Sequence, residues 1–230
     1  MVRPRANVPF MPIAAYKDLC IDAVDDALMG RFWSAALGLQ RHEHPDGSWS
    51  LSGPTPEHGV WVNQVPEPVT VKQRVHLDVH AASVADVAAL GATRVPGDFR
   101  WTVMRDPEGG ELCVFEREHP PQYRLYEVGV DAVDAAAIAG WWAEVLGAQL
   151  VHDERGFSYI DQIPGAPFDS FDFVPVPEPK TVKNRIHWDV TGSVEDLVGA
   201  GAGLLRVRDD EIAWTVLADP EGNEFCVFDW

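Results

Sequence analysis

The chain is short of basic side chains, of cysteine pairs and of long apolar runs, and each shortage excludes something. Eighteen lysines and arginines stand against 36 aspartates and glutamates in 230 residues, a formal charge of −18. Such a chain repels phosphate backbones and anionic bilayer surfaces, which argues against nucleic acid or membrane as partners. Three cysteines, Cys20, Cys113 and Cys226, form no CxxC pair and are odd in number. That fits neither a disulfide framework nor a zinc ribbon, and a reducing compartment, the cytoplasm, is expected. No run approaches the ~20 apolar residues that span a bilayer. The stretch MVRPRANVPFMPIAAY has only broken apolar runs, unlike a secretory signal. What is there is globular. The 46% apolar and 10% aromatic content excludes wholesale disorder, and the length suits one or two domains with cores of their own. The acidic groups are uneven: residues 1–120 carry 11 basic and 16 acidic side chains, residues 121–230 carry 7 and 20. A cationic ligand would be drawn to the second half, unless that surplus only solubilises the surface.

The strongest signal is an internal repeat. Val65–Val79 (VPEPVTVKQRVHLDV) and Val176–Val190 (VPEPKTVKNRIHWDV) share eleven of fifteen positions. Trp101–Glu116 (WTVMRDPEGGELCVFE) and Trp214–Asp229 (WTVLADPEGNEFCVFD) share eleven of sixteen. A weaker pair begins at Val24 and Val133, and the offset drifts only from 109 to 111 to 113. The chain is thus a duplicated unit of about a hundred residues, long enough for a domain. It divides into an extension over 1–15, a first copy over 16–118, a linker over 119–124 containing Pro120-Pro121, and a second copy over 125–230.

Within a copy, elements alternate. Lys17–Ala23 alternates polar and apolar and predicts a half-buried strand. Asp25 offers an N-cap, apolar residues recur at Leu28, Phe32, Ala35 and Ala36, and Gly38 supplies the stop; Asp134 to Gly147 repeats that helix. Short strands are predicted at 48–51, 60–64, 74–79, 93–95, 99–105 and 111–115, with a helix from Ser83 to Leu90 and a tight turn at Asp106-Pro-Glu-Gly109. Each copy is β-α-β-β-β twice, an α+β fold of four modules. Each sheet must cover its second face, and two facing modules do so by closing into a half-open barrel.

The helix endings FWSAALG and WWAEVLG, the HLD and HWD strands and the closing DPEGGELC and DPEGNEFC resemble the glyoxalase-like domains of the vicinal oxygen chelate superfamily. That superfamily includes glyoxalase I, bleomycin-resistance proteins and extradiol dioxygenases. The resemblance implies two glyoxalase-like half-barrel domains and a small-molecule site inside them, with a homodimer compatible. It also implies where metal-using members place ligands, on the first, fourth, fifth and eighth strands of a two-module unit. Matched by position, these are Asp18, Asn63, His76 and Cys113 in the first copy and Glu127, Val174, His187 and Cys226 in the second. Cysteine where glutamate is expected, and a valine that cannot ligate, argue against a resident metal. No cofactor is expected, and a divalent metal stays open as the alternative.

Period-two alternation puts Arg74, His76 and Asp78 on one side of a strand, and Arg185, His187 and Asp189 likewise. These triplets read either as a structural ladder or as a general base with an acidic neighbour. The candidate catalytic residues are His76, Asp18, His187 and Glu127; the candidate ligand-binding residues are Asn63, Trp61, Trp101, Cys113, Trp188, Trp214 and Cys226. Nine tryptophans suit a cleft for an aromatic or cationic molecule. Three functions follow. One is sequestration of an antibiotic or metabolite. The second is a glyoxalase-like lyase or isomerase acting on a small oxygenated metabolite. The third is an idle copy supporting a working one, with the first copy, which holds His76, the better candidate for the site.

Overall fold

Alternation on the first strand sets the pattern that the chain repeats. The computed structural model describes residues 12–229, so residues 1–11 of the expected extension lie outside the described residues. In β1 (Ala14–Ala23), Leu19, Ile21 and Ala23 join the apolar core, while Asp18, Cys20 and Asp22 take the opposite face. The first helix, α1 (Asp26–Leu37), begins where the Asp25 carboxylate accepts from Leu28 N–H and ends where Gly38 turns left-handed at φ 71°. Met29, Phe32, Trp33, Ala36 and Leu37 form its buried stripe. The module closes with β2 (Gln40–Glu43), β3 (Trp49–Ser52) and β4 (Val60–Gln64).

Three further modules follow the same order. The second has β5 (Val75–Ala81), α2 (Val84–Ala89), β6 (Thr93–Arg94), β7 (Thr102–Arg105) and β8 (Glu111–Glu116). The third has β9 (Leu125–Ala132), α3 (Ala135–Leu146), β10 (Gln149–His152), β11 (Ser158–Asp161) and β12 (Ser170–Pro175). The fourth has β13 (Ile186–Gly192), α4 (Val194–Gly199), β14 (Gly203–Arg206), β15 (Thr215–Ala218) and β16 (Glu224–Phe228). This is the α+β fold of four β-α-β-β-β modules that the sequence predicts. β2 has no counterpart among the expected strands. All four of its residues are exposed, so no alternation marks it.

The modules pair crosswise. The first sheet runs β14-β15-β16-β13-β1-β4-β3-β2 and the second β10-β11-β12-β9-β5-β8-β7-β6. Each sheet therefore takes one module from each copy: the first and fourth make one, the second and third the other. Residues 65–74 carry the chain from the first sheet to the second, and residues 176–185 carry it back. The Arg74 guanidinium donates to the Glu178 carbonyl and the Arg185 guanidinium to the Glu67 carbonyl, so each crossing segment holds the other. A cavity of about 710 Å³ lies between them. The best-matched stretch of the repeat is the stretch that crosses.

The Asp-Pro-Glu-Gly turns do more than reverse the chain. Asp106 accepts from Glu108 N–H and Gly110 N–H within its turn. Glu108 reaches the first sheet, accepting from Val24 N–H at 3.0 Å and Asp25 N–H at 2.7 Å where α1 begins, and pairs with Arg185 at 3.1 Å. Glu221 does the same for Val133 and Asp134 N–H ahead of α3, with no arginine partner among the described residues. Glu108→Ala should cost about 3 kcal/mol, since it uncaps a helix and strands the half-buried Arg185. Glu221→Ala should cost about 1 kcal/mol. Urea unfolding of the two variants checks the difference.

Candidate functional site

On the second sheet the polar faces of four neighbouring strands converge. His76 and Asp78 come from β5, Cys113 from β8, Glu127 and Gly129 from β9, and Asp172 from β12. Register brings them together: Asp78 lies opposite Glu127 and beside Cys113, and His76 opposite Gly129, which neighbours Asp172. They floor a cleft of about 1240 Å³. His76 can lie flat across β9 only because Gly129 has no side chain. A Cβ there would sit 2.3 Å from the imidazole Cε1 and Nε2.

The electrostatics of this floor are those of crowded carboxylates. Burial pushes the Glu127 pKa up, and the fields of Asp172 and Asp78 add to it, reaching about 9. Burial likewise raises Asp172 to about 6, against a hydrogen bond from Ser170. Burial opposes charge on His76, but Asp78, 3.2 Å from Nε2, overrides it and holds the imidazole pKa well above its usual value. Burial raises the Cys113 thiol, so it is no thiolate. At neutral pH His76 and Glu127 carry protons, while Asp172 titrates nearby.

Aromatic rings wall the cleft. Trp101 stacks on Phe115, with centroids 6.5 Å apart, and Phe115 meets Tyr126 edge-on at 5.0 Å. On the facing β11 side Phe157 and Tyr159 lie 6.1 Å apart, with the Arg155 guanidinium 4.7 Å over Phe157.

The first sheet offers the same positions with different contents. His187, Asp189 and Cys226 stand where His76, Asp78 and Cys113 stand, and Asp18 and Cys20 where Glu127 and Gly129 stand. Cys20 thus occupies the seat that Gly129 leaves empty. His187 contacts Cys226 Sγ at 3.5 Å, and burial lowers its pKa, so this imidazole is neutral. The Cys20 thiol, its pKa raised by burial, donates to Asp189 at 3.7 Å.

Crosswise pairing redistributes the residues singled out from sequence. His76, Cys113, Glu127 and Trp101 line the second sheet's cleft. Asp18, Asn63, Trp61, His187, Cys226 and Trp214 belong to the first sheet or its loops. The set Asp18, Asn63, His76 and Cys113, grouped by copy, is thereby split between two sheets. Trp188 is 1% exposed and packs against Trp142 and Phe171 in the core, 4.9 and 4.7 Å between centroids. Its alternation with His187 and Asp189 turns it away from the polar face. Asp172, Tyr126 and Gly129 were not singled out. Asp172 was signalled by the alternation of Ser170, Asp172 and Val174 with Phe171 and Phe173, whereas distance from the helix selected Val174.

The donor set on the second sheet fits a hard divalent cation. His76, Asp78 and Cys113 offer ligand atoms within 4.8 Å of one another, with Asp78 Oδ1 3.2 Å from His76 Nε2. His76 and Asp78, with Cys113 or Glu127, are the residues that would hold it, each of the protonated groups first releasing its proton. Cys20, His187 and Asp189 also converge within 4.8 Å, but their donors are spent on one another and on thiol protons.

Residues 18–115 and 127–228 each match the sequence profile described as a glyoxalase-like domain. No curated protein matches the chain in sequence. Among solved structures, glyoxalase I from Zea mays superposes with a TM-score of 0.64 at 14% identity, covering 94% of this chain and 92% of its own. A putative dioxygenase from Bacillus subtilis superposes with a TM-score of 0.64 at 13% identity, covering 95% and 86%. At such identities the likeness is one of fold. Among the described residues no helix is long and apolar enough to cross a membrane.

Proposed function

We infer that this chain, which belongs to the glyoxalase-like domain family, binds a small molecule bearing a planar aromatic ring in the cleft of its second sheet. The observation that carries the reading is the cleft itself: two aromatic walls above a floor of convergent polar side chains. Rings such as Trp101 and Phe157 give rigid contact area, and the floor supplies orientation. Sequestration of an antibiotic or metabolite needs no more than this. Tryptophan fluorescence titrated with aromatic metabolites tests it. His76→Ala should weaken binding about tenfold, the worth of one charge-assisted contact, and His187→Ala should leave it unchanged. Equal effects of the two variants would count against a site on the second sheet.

A second reading, a glyoxalase-like lyase or isomerase, draws on the spread of acidities in the floor. Protonated His76 and Glu127 serve as acids while Asp172, near 6, serves as base. A divalent ion, when bound, supplies Lewis-acid polarisation of a substrate oxygen. His76, Asp78 and Glu127 would hold it only after His76 and Glu127 gave up their protons, which would leave Asp172 as the group that moves a proton. The aromatic walls position the substrate and exclude water. Turnover of a bound compound, with a rate that follows an ionisation near 6 and is lost in Asp172→Asn, would favour catalysis over sequestration.

A further inference from the structure

The cavity of about 710 Å³ between the two crossing segments has the size of a small-molecule site. Its lining comes in pairs from the repeat: Lys72 with Lys183, Arg74 with Arg185, Val71 with Val182. Lys180 lines it as well, where the first copy has Val69. Three of the chain's four lysines and two of its arginines therefore surround one cavity, in a chain whose formal charge is −18. The walls between them are apolar, from Val65, Val176, Pro68 and Pro179. Val71 and Val182 add to these walls although they are 45% and 44% exposed.

The cations are anchored without being used up. Lys72 pairs with buried Asp131, Lys183 with buried Asp22, and Lys180 with Glu224 at 2.6 Å. An ammonium has three N–H donors and a guanidinium five, so each lysine keeps donors beyond the one its carboxylate takes. Arg185 gives its two Nη groups to the Glu67 carbonyl and to Glu108, and its buried Nε has no acceptor. Arg74 donates to the Glu178 carbonyl and has no carboxylate partner among the described residues. Glu221, which stands where Glu108 stands, accepts instead from Val133 and Asp134 N–H. The remaining carboxylates of the lining, Glu67 and Glu178, are exposed. Both arginines cross to the opposite segment, so the donors of both copies meet in one space.

We propose that the cavity between the crossing segments binds a small organic oxyanion, its head on Arg74, Arg185, Lys72 and Lys183 and its apolar body against the valines. Oxyanions accept from several such donors at once, and a buried guanidinium N–H without an acceptor favours a ligand that brings one. The proposal does not rest on the reading of the aromatic cleft, although Lys72, Asp131 and Val176 border both cavities.

Fluorescence titration with 8-anilinonaphthalene-1-sulfonate tests it, beside N-phenyl-1-naphthylamine, which has the same rings and no charge. The wild-type chain should bind the sulfonate, and a tenfold rise in salt should weaken that binding about tenfold while leaving the neutral amine unchanged. Val71→Asp with Val182→Asp puts two carboxylates into the lining at exposed positions and should weaken the sulfonate about tenfold. Val71→Lys with Val182→Lys removes the same valines and should tighten it, which separates charge from lost packing. Gly129→Ala, which disables the neighbouring aromatic cleft, should leave sulfonate binding intact. Absence of binding, or equal affinity in the aspartate and lysine variants, overturns the site. Loss of the sulfonate in Gly129→Ala overturns it too, by placing the probe in the aromatic cleft.

Discussion

Replacing Glu127 by glutamine should stabilise the folded chain, and more so as the pH rises. The folded state holds this carboxyl protonated to about pH 9, while the usual glutamate value is 4.5. Between those limits the unfolded chain has released a proton that the folded chain still binds, so stability falls as pH climbs through the interval. Each pKa unit is worth about 1.4 kcal/mol. With part of that lost to water entering the cleft, the gain at pH 8 should be about 3 kcal/mol. At pH 4, where both states bind the proton, it should vanish. Asp172, raised from 3.8 to about 6, adds a smaller loss over its own interval. The groups facing Glu127 are Asp78, Asp172 and His76, and Asp78 and Asp172 remain in the variant. Urea unfolding of wild type and Glu127→Gln between pH 4 and 9 measures the effect. A wild-type stability that is flat over this range would contradict the crowding of carboxylates. Glutamine mimics the protonated acid in shape, so a gain in stability with a loss of ligand binding would mark Glu127 as kept for function at a cost in stability.

Gly129→Ala should disable the cleft without unfolding the chain. The added Cβ falls 2.3 Å from the imidazole of His76, a clash that only a rotation of that side chain relieves. The ring must leave the β9 surface, and with it the 3.2 Å contact between Nε2 and Asp78. His76 then loses the field that raises its pKa. Ligand binding should fall about a hundredfold, since a displaced polar group both withdraws its contact and obstructs the floor. Proton NMR of the imidazole should show a titration moved down toward the ordinary histidine value near 6.5. The first sheet supplies the precedent. With Cys20 in the equivalent seat, His187 turns to Cys226 and its pKa is lowered. Unchanged binding in Gly129→Ala would separate His76 from the site.

Much of the fold was legible because it is written in period and punctuation. The Asp25 and Asp134 caps, the Gly38 and Gly147 stops and the alternation in β1 and β5 are local signals, and the helices and strands follow them. The pairing of modules was not legible. Either closure, within a copy or across copies, buries the same apolar face, and only the path of residues 65–74 and 176–185 decides between them. That choice regroups the site. His76 and Cys113 meet Glu127 rather than Asp18, although all four carry chemistry recognisable in the sequence. Gly129 escaped notice for a different reason: its role is an empty volume, and a volume has no signature until the strand opposite is known.

The crosswise sheets have a consequence for the halves of the chain. A fragment ending near residue 118 holds half of each sheet, and each of its modules would present a raw apolar flank where β13 or β9 should lie. Two such fragments could satisfy each other by exchanging flanks, giving a symmetric pair in which both clefts are shared between subunits. The present chain is that pair sewn into one polypeptide. The sewing frees the two sheets from identity, so that His187 faces Cys20 where His76 faces Gly129.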